Sequence, residues 1–233
     1  MSSLKEFRIS SDKLETVYPV WATSKSFSES QQVCLFLDAE IYLHRMQLED
    51  WITEWNESSP EKPLTGVFLS HIDQSHRHRD FVCNEDYTEF LVEVAIPYLR
   101  EWDIISDKPP ILVGLSLSGL AAIYAAWKHP DAFSGVLSQS PSAWWEDEWF
   151  ITEFQAAPQL LTPVWLSVGL REIDEYVEHT PTLIQQISQL ESCRRLADVL
   201  LNSGCNVKLH EFDGGHDPDC WRAELSDAFR SIL

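Results

Sequence analysis

The sequence predicts an α/β fold, in which a mostly parallel sheet of about eight strands is covered by helices on both faces. Short apolar runs, typical of strands buried on both sides, alternate along the chain with segments of helical spacing. One of these runs, residues 110–115, leads through Ser116 directly into the alanine-rich stretch 120–127. A strand that turns sharply into a helix fits the same architecture, and we expect residues 1–233 to form a single domain.

The predicted strands are short and mostly apolar. In chain order they cover residues 15–22, 32–38, 64–70, 110–115, 133–140, 163–169 and 205–212. The first contains Pro19, which has no N–H to donate to a neighbouring strand, so we predict that it lies at an edge of the sheet.

Helices are predicted between the strands, where apolar residues recur at helical spacing. They cover residues 41–55, 86–102, 120–127, 181–202 and 223–233. Pro60 and Pro63 close off the first of them. The polar stretch 71–83 is predicted to be a loop.

The chain is strongly acidic, with 17 basic against 37 acidic residues and a net charge of -20. Such a surface repels nucleic acid and anionic membranes, so we expect neither as a partner. Residues 1–7 lack the apolar stretch of a signal peptide, and no window approaches the ~20 apolar residues of a membrane span. We therefore expect a cytoplasmic protein.

The five cysteines are scattered, and no two of them form a Cys-x-x-Cys pair. They are Cys34, Cys83, Cys193, Cys205 and Cys220. This pattern favours reduced thiols over a disulfide framework and argues against a structural zinc site.

A candidate nucleophile, Ser116, lies at the tip of the turn after the strand 110–115. Gly114 precedes it by two residues, as in the Gly-x-Ser-x-Gly pattern of a nucleophile elbow. The backbone N–H of Leu117, at the start of the helix, could stabilise an oxyanion. The second glycine of the pattern is Ser118 here, so an ordinary turn rich in glycine and serine is the alternative.

A serine nucleophile requires a base and an acid, and in α/β hydrolases the chain order is nucleophile, acid, base. The base candidate is His216, which follows the last predicted strand after two glycines; the alternative is a capped histidine in a surface loop. Glu172 and Asp174, after the strand 163–169, are the candidates for the acid. Local reasoning does not separate them, and both also suit a solvated acidic loop.

Four motifs carry a resemblance to a known family. They are Gly-Leu-Ser-Leu-Ser-Gly at 114–119, Ser-Gln-Ser-Pro-Ser-Ala-Trp-Trp at 138–145, Gly-Leu-Arg-Glu at 169–172 and Gly-Gly-His-Asp-Pro-Asp-Cys-Trp-Arg at 214–222. With the upstream segment 75–87 they resemble the enterochelin-esterase branch of the esterase-D-like α/β hydrolases. Ser118 replaces the usual glycine, and Asp80-Phe81 stands where Glu-Leu is typical.

The resemblance implies an α/β-hydrolase fold and a triad of Ser116, Glu172 and His216, which selects Glu172 as the acid. It also implies an oxyanion hole of backbone N–H groups, from Leu117 and from either Ala39 or Glu40. The family hydrolyses ester bonds, notably the trilactone of catecholate siderophores, and needs no cofactor. A small-molecule ester is therefore the expected partner.

The stretch 71–79 is a basic cluster in an acidic chain, and its Arg77 matches an arginine of the family. Because this stretch follows a strand predicted to lie beside the elbow strand, we predict that Arg77 contacts an anionic substrate. The alternative is a structural role, in which Arg77 or Arg79 forms an ion pair with Asp80, Glu85 or Asp86 and holds the loop in place. A metal site formed by the histidines of this stretch is disfavoured, because no carboxylate or cysteine partner accompanies them.

Trp144 and Trp145 follow the strand 133–140 and are predicted to wall an acyl or aromatic pocket, unless they belong to the core. The sequence thus predicts a serine ester hydrolase that works through an acyl-enzyme. A thioesterase or acyltransferase with the same triad is one alternative, since the acceptor leaves no motif. A non-catalytic binding protein of the same fold is another, supported by Ser118.

Overall fold

An eight-stranded sheet organises the fold in a computed structural model that describes residues 4–23, 31–159, 162–181 and 183–233. Its strands are β1 (Lys5–Ser11), β2 (Thr16–Ala22), β3 (Gln32–Leu37), β4 (Leu64–Leu69), β5 (Ile111–Leu115), β6 (Gly135–Gln139), β7 (Val164–Gly169) and β10 (Val207–Phe212). Their order across the sheet is β1-β2-β4-β3-β5-β6-β7-β10. Two further strands, β8 (Val177–Thr180) and β9 (Leu183–Gln185), form a separate antiparallel hairpin.

The predicted mostly parallel sheet is confirmed. All neighbouring pairs from β4 across to β10 are parallel. Only β1 with β2 and β2 with β4 run antiparallel within this sheet of described residues. Because parallel strands end at one edge, the residues that follow β3, β4, β5, β7 and β10 are brought to the same side of the sheet.

Helices cover both faces of the sheet, as predicted. They are α1 (Leu48–Ser58), α2 (Gln74–Asp80), α3 (Glu85–Glu89), α4 (Ile96–Glu101), α5 (Ser116–Lys128), α6 (Trp145–Ala156), α7 (Gln189–Asn202) and α8 (Pro218–Ile232). Two π-helical segments add to these, Ile41–Arg45 and Phe90–Ala95, and the second joins α3 to α4. On β3, Leu35 and Leu37 pack in one core with α5, whereas Cys34 and Phe36 pack in the other with α1 and α8.

The prediction that the strand 15–22 lies at the edge is wrong. β2 pairs with β1 on one side and with β4 over residues 20–22 on the other, so β1 is the edge strand. Pro19 lies where the pairing with β4 stops, and its carbonyl oxygen accepts from the Ser70 N–H at 3.0 Å. In a strand, the N–H and the C=O of one residue point toward the same neighbouring strand. The position of the missing Pro19 N–H therefore faces Ser70, which lies just past the end of β4 and outside the β2–β4 ladder.

The stretch 71–83, predicted as a loop, contains α2. Asp73 caps this helix, because its side chain accepts a hydrogen bond from the His76 N–H at 2.9 Å. The helix has seven residues, and every one of them is polar or charged. Apolar spacing therefore gives no signal for it.

Two predicted helices are shorter than expected. The described residues of 181–188 are not helical, and α7 begins only after Ser188, whose hydroxyl accepts from the Glu191 N–H; residue 182 lies outside the described ranges. The segment 41–55 is interrupted at Gln47, where a backbone φ of 51° separates a π-helical turn from α1.

The described residues contain no helix with the length and apolar character needed to cross a bilayer. Residues 1–3, part of the segment expected not to be a signal peptide, lie outside the described ranges. None of the five cysteines, all of which lie in the described ranges, forms a disulfide, and Cys34, Cys83 and Cys193 are buried.

Candidate active site

Ser116 occupies the turn between β5 and α5, with a backbone φ of 54°. This left-handed conformation is uncommon for a residue with a side chain and fits a nucleophile held on a tight turn. The turn requires Gly114, because a Cβ there would lie 2.1 Å from the Ser118 carbonyl oxygen. The predicted strand, turn and helix are confirmed.

Gly119, the residue after Ser118, allows the close contact between helix and strand that the second glycine of the pattern usually allows. A Cβ at Gly119 would lie 2.9 Å from Ser138 Oγ and 3.3 Å from the Gln139 carbonyl oxygen, so glycine lets α5 pack against β6. Ser118 is itself buried, and its Oγ accepts a hydrogen bond from the Leu115 N–H at 2.9 Å. A serine therefore fits position 118 without opening the turn.

His216 connects Ser116 to an acid. Its Nε2 lies 3.0 Å from Ser116 Oγ, and its Nδ1 lies 2.6 Å from Glu172 Oε2. In the tautomer with the proton on Nδ1, His216 donates to Glu172 and accepts from the Ser116 hydroxyl. The imidazole also packs edge-on against Trp221, with ring centroids 4.7 Å apart. The three residues follow β5, β7 and β10, which deliver them to one edge of the sheet.

Glu172 is held in place by its own hydrogen bonds. Its side chain is 1% exposed, and Oε1 accepts from the Ser140 hydroxyl at 2.6 Å and from the Gly169 N–H at 2.7 Å. The other oxygen, Oε2, is left to face His216. Asp174 lies on the wall of the adjoining cavity. The structure thus brings Glu172, rather than Asp174, to the histidine.

The predicted oxyanion donors lie at the same edge of the sheet. The Leu117 N–H belongs to the first turn of α5, where backbone N–H groups have no acceptor within the helix. Ala39 and Glu40 follow Asp38, whose φ of 67° turns the chain sharply at the end of β3. The Glu40 carboxylate accepts hydrogen bonds from the Ser70 hydroxyl and the His71 N–H.

Asp38 lies at the centre of a buried charged cluster. Arg77 donates to it at 2.9 Å from Nε and 2.7 Å from Nη2, and His71 Nδ1 lies 2.8 Å from Oδ1. Burial alone would raise the pKa of Asp38, but Arg77 and His71 hold it below its usual range. Burial would lower the pKa of His71, but Asp38 and Glu40 raise it to about 9, so the imidazole is protonated at neutral pH.

Arg77 therefore pairs with Asp38, and not with an acid that the sequence suggested. Its side chain is 11% exposed. Arg79 does pair with Asp80, at 2.6 Å, as the structural alternative expected. Across the described ranges, no three His, Cys, Asp or Glu side chains are arranged to hold a metal ion.

A cavity of ≈ 190 Å³ opens beside Ser116 and His216. The rest of its lining comprises Trp144, Arg171, Glu172, Asp174, Val177, His179, Gln185 and Gln189. Trp144 thus lies on the wall of this cavity. Trp145 instead packs edge-on against Trp149 and borders a separate surface depression.

Two neighbours fix Trp144. Its Nε1 donates to Gln189 Oε1 at 2.6 Å, and its ring stacks on His179 with centroids 5.0 Å apart. Sequence reasoning misses these contacts, because it places the β9 strand and the start of α7 in one helix. It also misses Ser140, although the run of serines after β6 indicates polar contacts at this edge.

The sheet, its elbow and the residues at its carboxyl edge define a protein of the α/β-hydrolase class. Within that class the chain belongs to an esterase family, because a family model described as "Putative esterase" matches residues 17–232.

Curated relatives of the chain include proteins named as enterobactin esterases. It is 28% identical over 229 residues to an "Iron(III) enterobactin esterase" of Escherichia coli O6:H1, which covers 95% of this chain and 55% of the relative. A protein of the same name from Dickeya dadantii is 28% identical over 238 residues, covering 96% of this chain and 53% of the relative. The chain therefore spans little more than half the length of these relatives.

Solved structures of two such esterases are similar to this chain. A crystal structure of the enterobactin esterase from Shigella flexneri, in the presence of enterobactin, matches with a TM-score of 0.84 and 25% identity. The match covers 98% of this chain and 58% of that one. The ferric enterobactin esterase of Salmonella typhimurium has the same fold, with a TM-score of 0.82 at 23% identity over 98% of this chain and 57% of that one.

Proposed function

We propose that this chain hydrolyses carboxylic esters, with Ser116 as the nucleophile, His216 as the base and Glu172 as the acid. The observation that carries the proposal is the pair of distances at His216, 3.0 Å to Ser116 Oγ and 2.6 Å to Glu172 Oε2. They join nucleophile, base and acid in one chain of hydrogen bonds. The names of the curated relatives support the same reaction.

In the first half-reaction, Ser116 Oγ attacks the ester carbonyl carbon while His216 Nε2 takes the hydroxyl proton. The carbonyl oxygen becomes an oxyanion, and Glu172 stabilises the imidazolium. When the tetrahedral intermediate collapses, the bond to the alcohol oxygen breaks and His216 gives that oxygen its proton. The acyl group stays on Ser116 as an ester.

In the second half-reaction, His216 takes a proton from water as the water oxygen attacks the acyl carbon. A second tetrahedral intermediate forms, the bond to Ser116 Oγ breaks, and His216 returns the proton to that oxygen. The carboxylic acid leaves. Side chains of this protein supply each proton transfer, so we propose the reaction without a cofactor.

Two backbone N–H groups serve the oxyanion in this proposal. The first is that of Leu117, at the start of α5. The second is that of Ala39 or Glu40, which follow the sharp turn at Asp38.

The substrate we propose is a small ester with an aromatic or anionic group. The stacked rings of Trp144 and His179 line the cavity, and Arg171, 67% exposed, adds a positive charge. A catecholate siderophore lactone is the first candidate, since the relatives are named for enterobactin. Trp145 borders a separate depression, so we propose no substrate contact for it. Substrate contact by Arg77 stays a prediction, because its side chain is not among the described residues of the cavity wall. The cytoplasmic location also stays a prediction.

Initial rates with three substrates test the proposal: a catecholate serine trilactone, an aryl ester and an acyl thioester. We expect the wild type to hydrolyse the oxygen esters, and Ser116→Ala to lose at least about 10³-fold in kcat with unchanged thermal unfolding. Turnover of the thioester alone would indicate a thioesterase. Ester hydrolysis that survives in Ser116→Ala would contradict the proposed nucleophile, and a folded but inactive wild type would favour a binding protein.

A further inference from the structure

Ser118 is a buried hydroxyl that the proposed reaction does not use, although it lies two residues after the nucleophile. Its Oγ lies 2.8 Å from Asp38 Oδ2, 2.9 Å from the Leu115 N–H nitrogen and 2.8 Å from the Leu115 carbonyl oxygen. A hydroxyl has one proton, and the ionised carboxylate is the stronger acceptor. Ser118 therefore donates to Asp38 and accepts from Leu115, which bridges the start of α5 to the loop after β3.

This bridge lies beyond the end of the sheet ladder. The pairing of β3 with β5 stops at Phe36 and Val113. The bridge joins Asp38, two residues after Phe36, to Leu115, two residues after Val113. Among the described residues of α5, Ser118 is the one that hydrogen-bonds the Asp38 side chain.

The other partners of Asp38 approach from elsewhere. Arg77 belongs to α2, and His71 follows β4, so neither ties the loop to the elbow. Asp38 also has a left-handed φ of 67°, a conformation that persists when surrounding contacts over-determine it. Loss of the Ser118 contact frees the loop on the side that faces the nucleophile.

We propose that Ser118 is a positioning residue for the oxyanion hole. Through Asp38, it fixes the loop that carries the Ala39 and Glu40 N–H groups relative to the elbow that carries the Leu117 N–H. The inference rests on the proposed function, because it needs Ser116 to be the nucleophile. A displaced donor weakens stabilisation of the oxyanion more than it weakens binding of the ester, so the effect falls on kcat.

The test uses two variants, Ser118→Ala and Ser118→Gly. Both remove the hydroxyl, and neither adds bulk. For each protein, kcat and KM for an aryl ester are measured together with inhibition by an arylboronic acid. The boronic acid adds to the serine oxygen as a tetrahedral anion, which needs the same donors as the transition state. We expect kcat to fall by about tenfold or more and boronate affinity to weaken by a similar factor, with KM within about twofold.

Ser138→Ala is the matched control. Ser138 is also a buried serine beside the elbow helix, but its hydroxyl donates to the Gly119 carbonyl at 2.9 Å rather than to Asp38. We expect this variant to lose thermal stability comparably and to keep kcat and boronate affinity.

Unchanged kcat and boronate affinity in both Ser118 variants, alongside an active wild type, would overturn this inference and leave the proposed function standing. So would an equal loss of kcat in Ser138→Ala, since the effect would then follow stability. A folded wild type that neither hydrolyses esters nor binds the boronic acid would overturn the proposed function, and this inference with it.

Discussion

Ser140 Oγ lies 2.6 Å from Glu172 Oε1 and accepts a hydrogen bond from Trp221 Nε1 at 3.0 Å. Ser140 follows β6, which lies between the strands that lead to Ser116 and to Glu172. Its hydroxyl thus holds one oxygen of the buried acid and leaves the other for His216. A carboxylate removed from water requires such donors.

Ser140→Ala is expected to lower the free energy of unfolding by about 2 kcal/mol, because a buried hydrogen bond to a charged group is lost. It also lowers kcat, since Glu172 keeps fewer fixed contacts. Urea unfolding and steady-state kinetics measure the two effects. The control is Ser192→Ala, because the Ser192 hydroxyl is buried with no hydrogen-bond partner in the described residues. Equal losses of stability in the two variants would contradict this explanation.

The two neighbouring acids provide a second test. In Glu172→Gln, the amide cannot stabilise the imidazolium, and kcat is expected to fall by roughly 10³- to 10⁴-fold. Asp174→Asn changes the cavity wall only, and kcat is expected to stay within about threefold. Ester hydrolysis by both purified variants measures this difference. The assignment of the acid fails if Asp174→Asn is the more damaged of the two.

The choice of acid shows what local sequence patterns could not supply, although the family resemblance selected Glu172. Glu172 and Asp174 are two positions apart in one loop, and each follows a predicted strand. What separates them is the hydrogen bond from Ser140, a residue 32 positions away in the chain. Ser118 and Asp38 are 80 positions apart, so their contact is equally hidden from local patterns.

Most of the sheet, by contrast, was predictable, although β1 was not predicted and β3, rather than β4, lies beside β5. The strands around the elbow are continuous apolar runs, and β3 to β7 are almost fully buried. The hairpin β8–β9 is not of this kind, because Glu178, His179 and Ile184 are exposed and the strands are short. Helical spacing places β9 in the helix 181–202, and no strand is predicted at β8, so the cavity wall that the hairpin forms is missed.

The paired tryptophans provide a third test. Trp144→Phe removes the indole N–H that Gln189 accepts and shrinks the cavity wall, so we expect KM for aryl esters to rise several-fold, or about 1 kcal/mol. Trp145→Phe lies beside a separate depression and is expected to leave KM unchanged. Steady-state kinetics on an aryl ester and on a short alkyl ester separate the two variants. A larger KM effect from Trp145→Phe would place the substrate elsewhere.

A fourth prediction concerns Glu224, a buried carboxylate on α8. Burial raises its pKa to about 7, although Ser167 and Gln139 donate hydrogen bonds to it. The folded protein then holds this proton more tightly than the unfolded chain. The contribution of Glu224 to stability is therefore complete below its unfolded pKa of 4.5 and is lost as the pH rises through about 7.

The loss is on the order of 3 kcal/mol. Glu224→Gln has no proton to lose and is expected to remove this part of the pH dependence. Urea unfolding of both proteins at pH 5 and pH 8 isolates it, since all other titrating groups are shared. The same difference between the two pH values in wild type and variant would show that Glu224 titrates in its ordinary range.

The central claim is that Ser116 is an activated nucleophile, and covalent labelling tests it most directly. Intact mass is measured after treatment with a fluorophosphonate, for wild type, Ser116→Ala and His216→Ala. We predict that the wild type gains one probe, that Ser116→Ala gains none, and that His216→Ala reacts far more slowly because its serine keeps the proton. Equal labelling of Ser116→Ala, or no labelling of a folded wild type, would contradict the account.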